Sequence, residues 1–269
     1  MKHMLYWIVG IVGILYLGLA ALVYFGQEKI VFYPQKLPPD YAFRFGRPCR
    51  ELVIPAADGT PLHGLLFPVE APRGLVFYLH GNAGSLAGWG EVAGTYTRLG
   101  YDVFLLDYRG FGKSGGEIRG EKQFYADAQA AYDQLRTQYD ERNIVVIGYS
   151  IGTAVAARLA ATNGPRRLIL QAPYYSLPDL ARRLFPVLSR VLPGALIKYK
   201  FRTWQFVRDA KVPVTVFHGD RDEVIPYEAA LQLKQYLKPG DQFVTLPRQG
   251  HNGMNENAQY GQALEELLR

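Results

Sequence analysis

Ser150 lies between two glycines in the stretch Gly148-Tyr149-Ser150-Ile151-Gly152, where an apolar run gives way to a helical pattern carried by Ala154, Val155, Ala157 and Ala161. A strand-to-helix turn this sharp forces its middle residue into a strained backbone conformation, and the positions two residues away must lack side chains. The hydroxyl is thereby lifted above the sheet edge, the arrangement of a nucleophile elbow. The same five residues also fit a plain strand-to-helix connection with a capping serine. Context separates the two readings. A hydroxyl at its ordinary pKa is a poor nucleophile, so a catalytic serine needs a histidine base, a carboxylate to orient that base, and donors for the oxyanion.

All three occur at the ends of apolar runs. His251, in Gln249-Gly250-His251-Asn252, follows the last strand-like segment and precedes the last helical one, so it can serve Ser150 as general base and then as general acid. Asp220 and Asp222, in Gly219-Asp220-Arg221-Asp222, both qualify as the acid, and residue chemistry alone does not separate them. The one left over is expected to cap the helix that begins near Pro226. For the oxyanion, one backbone N–H is expected from Ile151 and the other from Asn82 or Ala83 in the glycine-rich exit of "VFYLHGNAG". His80 and His218 each precede a glycine at a strand exit and read as structural, holding loop backbone. Serine, then acid, then histidine is the chain order of a nucleophile-elbow hydrolase. No spacing suited to metal ligands, a phosphate loop or a dinucleotide fingerprint is found, and no cofactor is expected.

The elements that must position these groups are legible as alternating patterns. "RELVIPAADGTPLHGLLFP" reads as a hairpin turning at Ala57-Asp58-Gly59, and "KIVFYP" as a short strand before it. Strand and helix then alternate: "GLVFYLHG", "GYDVFLLD", a helix over Glu121 to Tyr139, "NIVVIGYS", the helix after Ser150, "RRLILQAP", "VPVTVFHGD", "QFVTLP" and a final helix to Leu268. This predicts an α/β fold, a mostly parallel doubly wound sheet of about eight strands covered by helices on both faces. Ligands of such sheets bind beyond the carboxyl ends of the strands, where Ser150, Asp222 and His251 all fall.

The chain has 269 residues, enough for one α/β domain with a full core, and a single cysteine, Cys49, which excludes an internal disulfide framework. The 23 residues from Met4 to Gly26 carry no charge and are flanked by Tyr6, Trp7, Tyr24 and Phe25. They are long enough to cross a bilayer core of about 30 Å, with aromatic residues at both interfaces. We therefore expect a transmembrane anchor over 1–27, followed by a catalytic domain over 28–269. Apolar character continues past Ala20 and Ala21, which argues against a cleaved signal peptide. Counting Lys and Arg alone leaves the domain in the cytoplasm, whereas long domains cross largely regardless of charge. The balance falls on the extracytoplasmic side. Between 174 and 212 no strand pattern occurs; this insertion is helical, apolar and basic, with Arg182, Arg183, Arg190, Lys198, Lys200 and Arg202 against Asp179. It is expected to form a cap that touches lipid headgroups. The net charge of +6 is moderate and lacks the basic blocks of a nucleic-acid binder.

From about Leu52 onward the chain resembles the α/β-hydrolase superfamily, and within it the membrane-anchored serine hydrolases that join one N-terminal span to a hydrolase domain. The resemblance rests on "HGNAGS", "DYRGFGKSGG", "GYSIGTAVA", "QAPYYSLPDLA", "VPVTVFHGDRDEVIP" and "GHN". It implies Ser150 as nucleophile and His251 as base, and it selects Asp222, the aspartate before Glu-Val-Ile-Pro, over Asp220. It also implies Asn82 as the second oxyanion donor, and an architectural role for Asp107 and Arg109. The implied activity is hydrolysis of acyl esters, lysophospholipids or acyl thioesters, with small-molecule acyl or lipid substrates. Serine at the elbow argues against relatives that use aspartate there. A serine aminopeptidase remains an alternative, although the basic insertion offers the wrong field for a substrate amine. A non-catalytic membrane scaffold is the other.

Overall fold

The computed structural model describes residues 2–269. Its centre is an eight-stranded sheet, strands being numbered in chain order. From one edge it runs β10 (Gln242–Leu246), β9 (Val214–Gly219), β8 (Arg167–Gln171), β7 (Ile144–Tyr149), β4 (Leu75–Leu79), β6 (Asp102–Leu106), β3 (Pro61–Phe67) and β2 (Arg50–Pro55). Every pairing from β10 to β6 is parallel, while β3 pairs antiparallel with both β6 and β2. The mostly parallel α/β architecture expected from the alternating pattern is therefore present, with its hairpin turning at Gly59 in the left-handed conformation.

Strands β4, β6 and β7 are buried at every position, as parallel strands covered on both faces must be. Side-chain alternation sorts the core into two layers. Phe77, Phe104, Val146, Leu170 and Val216 pack with Phe124, Ala128 and Tyr132 of the helix Glu121–Arg136 and Val155 of the helix Gly152–Thr162. Tyr78, Leu105, Ile147, Ile169 and Phe217 face Tyr96, Tyr260 and Leu264 on the other side. Each fully buried Leu, Ile or Val contributes roughly 1.5–3 kcal/mol of transfer free energy, so the middle of the sheet is a rigid platform for the loops at its carboxyl edge.

The insertion between β8 and β9 is helical, as expected: Leu177–Leu184, Pro186–Val191, a 3-10 turn at Gly194–Leu196, and Thr203–Asp209. Ser176 caps the first of these by accepting the Asp179 N–H, with Pro178 in the opening turn. Leu184, Phe185, Val187 and Val191 are left exposed.

The N-terminal helix runs over Lys2–Val31 and is long and apolar enough to cross a membrane. Trp7 and Phe25 are each about three-quarters exposed, so the protein leaves most of the helix's apolar surface uncovered. Here the structure corrects one expectation. The segment "KIVFYP" does not form a strand throughout, because the helix continues to Val31 and only Tyr33–Pro34 (β1) is extended, pairing in parallel with Ala83–Gly84 (β5). The helix persists because Gln27 and Glu28 find polar partners on the cap and Phe32 enters the core against Phe124 and Tyr199. It stops where Pro34 disfavours helical backbone at Tyr33.

Candidate active site

Strand β7 delivers Ser150 into a turn with φ of +53°, a left-handed conformation that non-glycine residues seldom adopt. The flanking glycines are required by contact. A Cβ on Gly148 would lie 2.5 Å from the Gly152 carbonyl oxygen and 2.7 Å from Ala156 Cβ, and one on Gly152 would run into the carbonyl oxygens of Leu79 and His80. The turn is pinned by Ser150 N–H donating to Gln171 O at 2.9 Å and by Thr153 Oγ1 donating to Ser150 O at 2.5 Å.

His251 Nε2 stands 3.2 Å from Ser150 Oγ, and His251 Nδ1 stands 2.8 Å from Asp222 Oδ2. The three residues are each less than a tenth exposed. The second oxygen of Asp222, Oδ1, accepts the N–H groups of Val224 at 2.9 Å and Ile225 at 2.7 Å, which fixes the carboxylate plane. Asp220 makes no contact with His251. It accepts the Arg248 N–H at 2.6 Å and so holds the loop that leads to His251. The expectation that the spare aspartate caps the helix near Pro226 fails, because that helix, Tyr227–Leu231, begins without a side-chain cap while Asp220 is committed to the neighbouring loop.

Ile151 N–H and Asn82 N–H have no acceptor among the described residues. They belong to the turn after Ser150 and the exit of β4, the two positions from which a nucleophile-elbow hydrolase builds its oxyanion hole. The β4 exit is held at its far end by the buried Asp107 carboxylate, which accepts the Leu86 N–H at 3.1 Å.

His80 and His218 stay with the backbone. His80 Nδ1 is 2.7 Å from Gly81 O, and its ring packs 4.3 Å from Tyr108 and 5.6 Å from Trp89; its Nε2 lies 3.5 Å from Asp107, outside hydrogen-bond geometry. His218 Nε2 is 2.9 Å from Ile225 O, and burial pushes its pKa down, favouring the neutral ring beside Asp222. Arg109 forms a two-pronged pair with Asp127 and a second with Asp58, bracing the turn after β6 rather than the triad. Sequence reasoning missed Tyr149. Its phenol donates to His251 O at 2.7 Å, so the residue before Ser150 also positions the loop that carries His251. Burial raises that phenol pKa, favouring the neutral donor. A tyrosine inside the elbow was visible in the sequence, but nothing there announces a bond across 102 residues.

No group of three or more His, Cys, Asp or Glu among the described residues is placed to hold a metal. An open cavity of about 480 Å³ lies not at the triad but at the foot of the N-terminal helix, lined by residues such as Phe32, Pro34, Phe111 and Ile118.

The family model described as "Serine aminopeptidase, S33" matches residues 70–206, which include Asn82, Ser150 and Ile151. The chain belongs to this family of α/β-hydrolases. An uncharacterised protein of Mycobacterium tuberculosis is 29% identical to the hydrolase over 249 residues, covering 91% of this chain and 87% of that one. The α/β-hydrolase domain-containing protein 17C of Xenopus tropicalis is 31% identical over 205 residues, covering 73% of this chain and 62% of that protein. Among solved structures, an esterase of Pyrococcus furiosus superposes with a TM-score of 0.72 at 20% identity, covering 88% of the hydrolase and 96% of the esterase. At that identity the likeness concerns the fold.

Proposed function

We propose that the protein is a single-span serine hydrolase that cleaves carboxylic acyl esters or thioesters, amphiphilic ones drawn from the membrane. Residues 1–27 serve as anchor and 28–269 as the hydrolase domain, with the cap at about 174–212. The observation that carries this reading is the chain of contacts from Asp222 through His251 to Ser150, at 2.8 and 3.2 Å, in a strained elbow.

Ser150 Oγ attacks the acyl carbonyl as His251 Nε2 takes its proton, while Asp222 stabilises the imidazolium. The tetrahedral oxyanion is received by the N–H groups of Ile151 and Asn82. Collapse expels the alcohol or thiol, which takes its proton from His251, and leaves an acyl group on Ser150. Water, deprotonated by the same histidine, then releases the acid. The exposed Phe185, Val187 and Val191 beside Arg182, Arg183 and Arg190 suit an anionic membrane surface from which acyl chains enter. We place the domain on the extracytoplasmic side.

The serine aminopeptidase family that the chain matches favours one second reading, an aminopeptidase. Its substrate amine needs a carboxylate near the nucleophile, whereas the cap is basic.

Initial rates of the detergent-purified full chain on p-nitrophenyl esters from acetyl to palmitoyl test the proposal, with Ser150→Ala alongside. The expected result is a rate that rises with chain length and falls by about 10⁴-fold or more in the variant. A variant as fast as the wild type, or turnover of aminoacyl p-nitroanilides with no ester or thioester cleaved, overturns it.

A further inference from the structure

The loop that carries Asn82 takes part of its shape from outside itself. Of its three successive backbone carbonyls, Ala83 O accepts Trp89 Nε1–H at 2.8 Å, but Asn82 O accepts Tyr33 N–H and Gly84 O accepts Gln35 N–H, both at 2.8 Å. The Asn82 side chain adds a third tie, its Nδ2 donating at 2.9 Å to Val31 O, a carbonyl at the C-terminal end of the N-terminal helix. Ser85 Oγ donates at 3.0 Å to Gln35 Oε1. Four bonds from Val31, Tyr33 and Gln35 thus grip Asn82–Ser85, a segment about fifty residues away in sequence.

The gripping segment is itself fixed on both sides. Before it, Gln27 donates to Leu196 O at 2.7 Å and accepts the Lys198 N–H at 2.8 Å, Tyr199 donates to Glu28 at 2.9 Å, and Phe32 is buried. After it, Gly112 N–H donates to Gln35 O and Leu37 N–H to Gly112 O, both at 2.9 Å.

We propose that Val31–Gln35 is a positioning element of the oxyanion hole: the end of the membrane helix sets where Asn82 N–H points, and the Asn82 side chain is the positioning group that transmits it. This rests on the reading of Ser150 as nucleophile and of Asn82 N–H as an oxyanion donor. The helix terminus supplies a carbonyl that has lost its intrahelical partner, and Asn82 satisfies it. With its side chain and carbonyl both held, Asn82 has a fixed Cα, and with Gly81 O paired to His80 Nδ1 at 2.7 Å the Gly81–Asn82 peptide that carries the N–H has little freedom to turn. Preorganisation of this kind acts on the transition state, where charge reaches the carbonyl oxygen, more than on the bound ester. The anchor is therefore part of the catalytic apparatus as well as a tether.

The test uses the full chain in detergent micelles. Asn82→Ala keeps the backbone N–H and removes only the tie to Val31. It is expected to lower kcat about tenfold to a hundredfold, less than the roughly 10²–10³-fold cost of deleting an oxyanion donor outright, with KM within about twofold. The Ki of a trifluoromethyl ketone, whose hemiketal oxyanion occupies the hole, should weaken by the same factor, while that of the product carboxylic acid stays unchanged. Gln35→Ala, on an exposed residue whose loss does not threaten folding, should lower kcat about twofold to fivefold in the same pattern. Wild-type kcat and ketone Ki in both variants overturn the inference, as does a loss shared equally by the ketone and product Ki values. A fluorophosphonate labelling of the wild-type chain is run first. If it neither labels Ser150 nor cleaves esters, the reading of the nucleophile falls and the inference with it; if it does both while the variants are unaffected, the inference alone falls.

Discussion

The two loops that meet at Ser150 are built in opposite ways. The elbow after β7 is held by its own neighbourhood: Gly148 and Gly152 let strand and helix close to contact, and Gln171 and Thr153 lock the turn from within the same layers. The β4 exit is held within itself by His80 at Gly81 O and Trp89 at Ala83 O, but the carbonyls of Asn82 and Gly84 are satisfied by the segment that leaves the N-terminal helix. One half of the candidate site is held by the core, and the other partly by the segment that follows the N-terminal helix. The contrast follows from what each half must do. On the proposed mechanism, the strained turn at Ser150 needs a rigid support to keep φ at +53°, whereas the loop of Asn82 must stay open enough for a carbonyl oxygen to approach, so part of its rigidity comes from outside.

Variants that act on one half and spare the other sharpen this contrast. On the proposed mechanism, the largest effect is expected where the orientation of His251 is lost. Asp222→Asn should lower kcat by about 10⁴-fold with little change in melting temperature, as loss of the orienting carboxylate does in the serine–histidine–aspartate template. Asp220→Asn, which only loosens the loop at Arg248, should cost less than tenfold; equal losses in the two would remove the distinction drawn from their contacts. Next comes the elbow. Gly152→Ala forces a Cβ against the carbonyls of Leu79 and His80, and overpacking of this kind costs about 1–3 kcal/mol. Melting temperature should fall by about 2–4 °C per kcal/mol, and activity with it. A Gly152→Ala chain as stable as the wild type would break the claim that the elbow is supported by close packing. The smallest effect on stability belongs to Asn82→Ala, where kcat falls and the melting temperature holds.

How much of this could be read in the sequence differs between the same two regions. The elbow was legible because its chemistry and its sterics both name residue types: serine for the hydroxyl, glycine where Gly152 would otherwise strike Leu79. The parallel sheet was legible because doubly buried strands such as "IVVIG" carry no polar residue. Side chains singled out from three separate segments, Ser150, Asp222 and His251, meet at hydrogen-bond distance. Residue chemistry did not separate Asp220 from Asp222, since the difference lies in which backbone amides each one meets. The grip of Tyr33 and Gln35 on the β4 exit had no signature, because backbone hydrogen bonds are indifferent to side-chain identity. For the same reason "KIVFYP" reads as a strand on composition, although the contacts of Gln27 and Glu28 with the cap extend the helix to Val31.

The central claim is that Ser150 carries the acyl group. Its most direct test is mass spectrometry of the full chain quenched during turnover of a p-nitrophenyl ester, followed by digestion across residues 144–162. An acyl adduct on Ser150, absent from Ser150→Ala and accumulating in proportion to a burst of p-nitrophenol, is the predicted result. Steady ester turnover with Ser150 unmodified in every quenched sample, and an unchanged rate in Ser150→Ala, would contradict it.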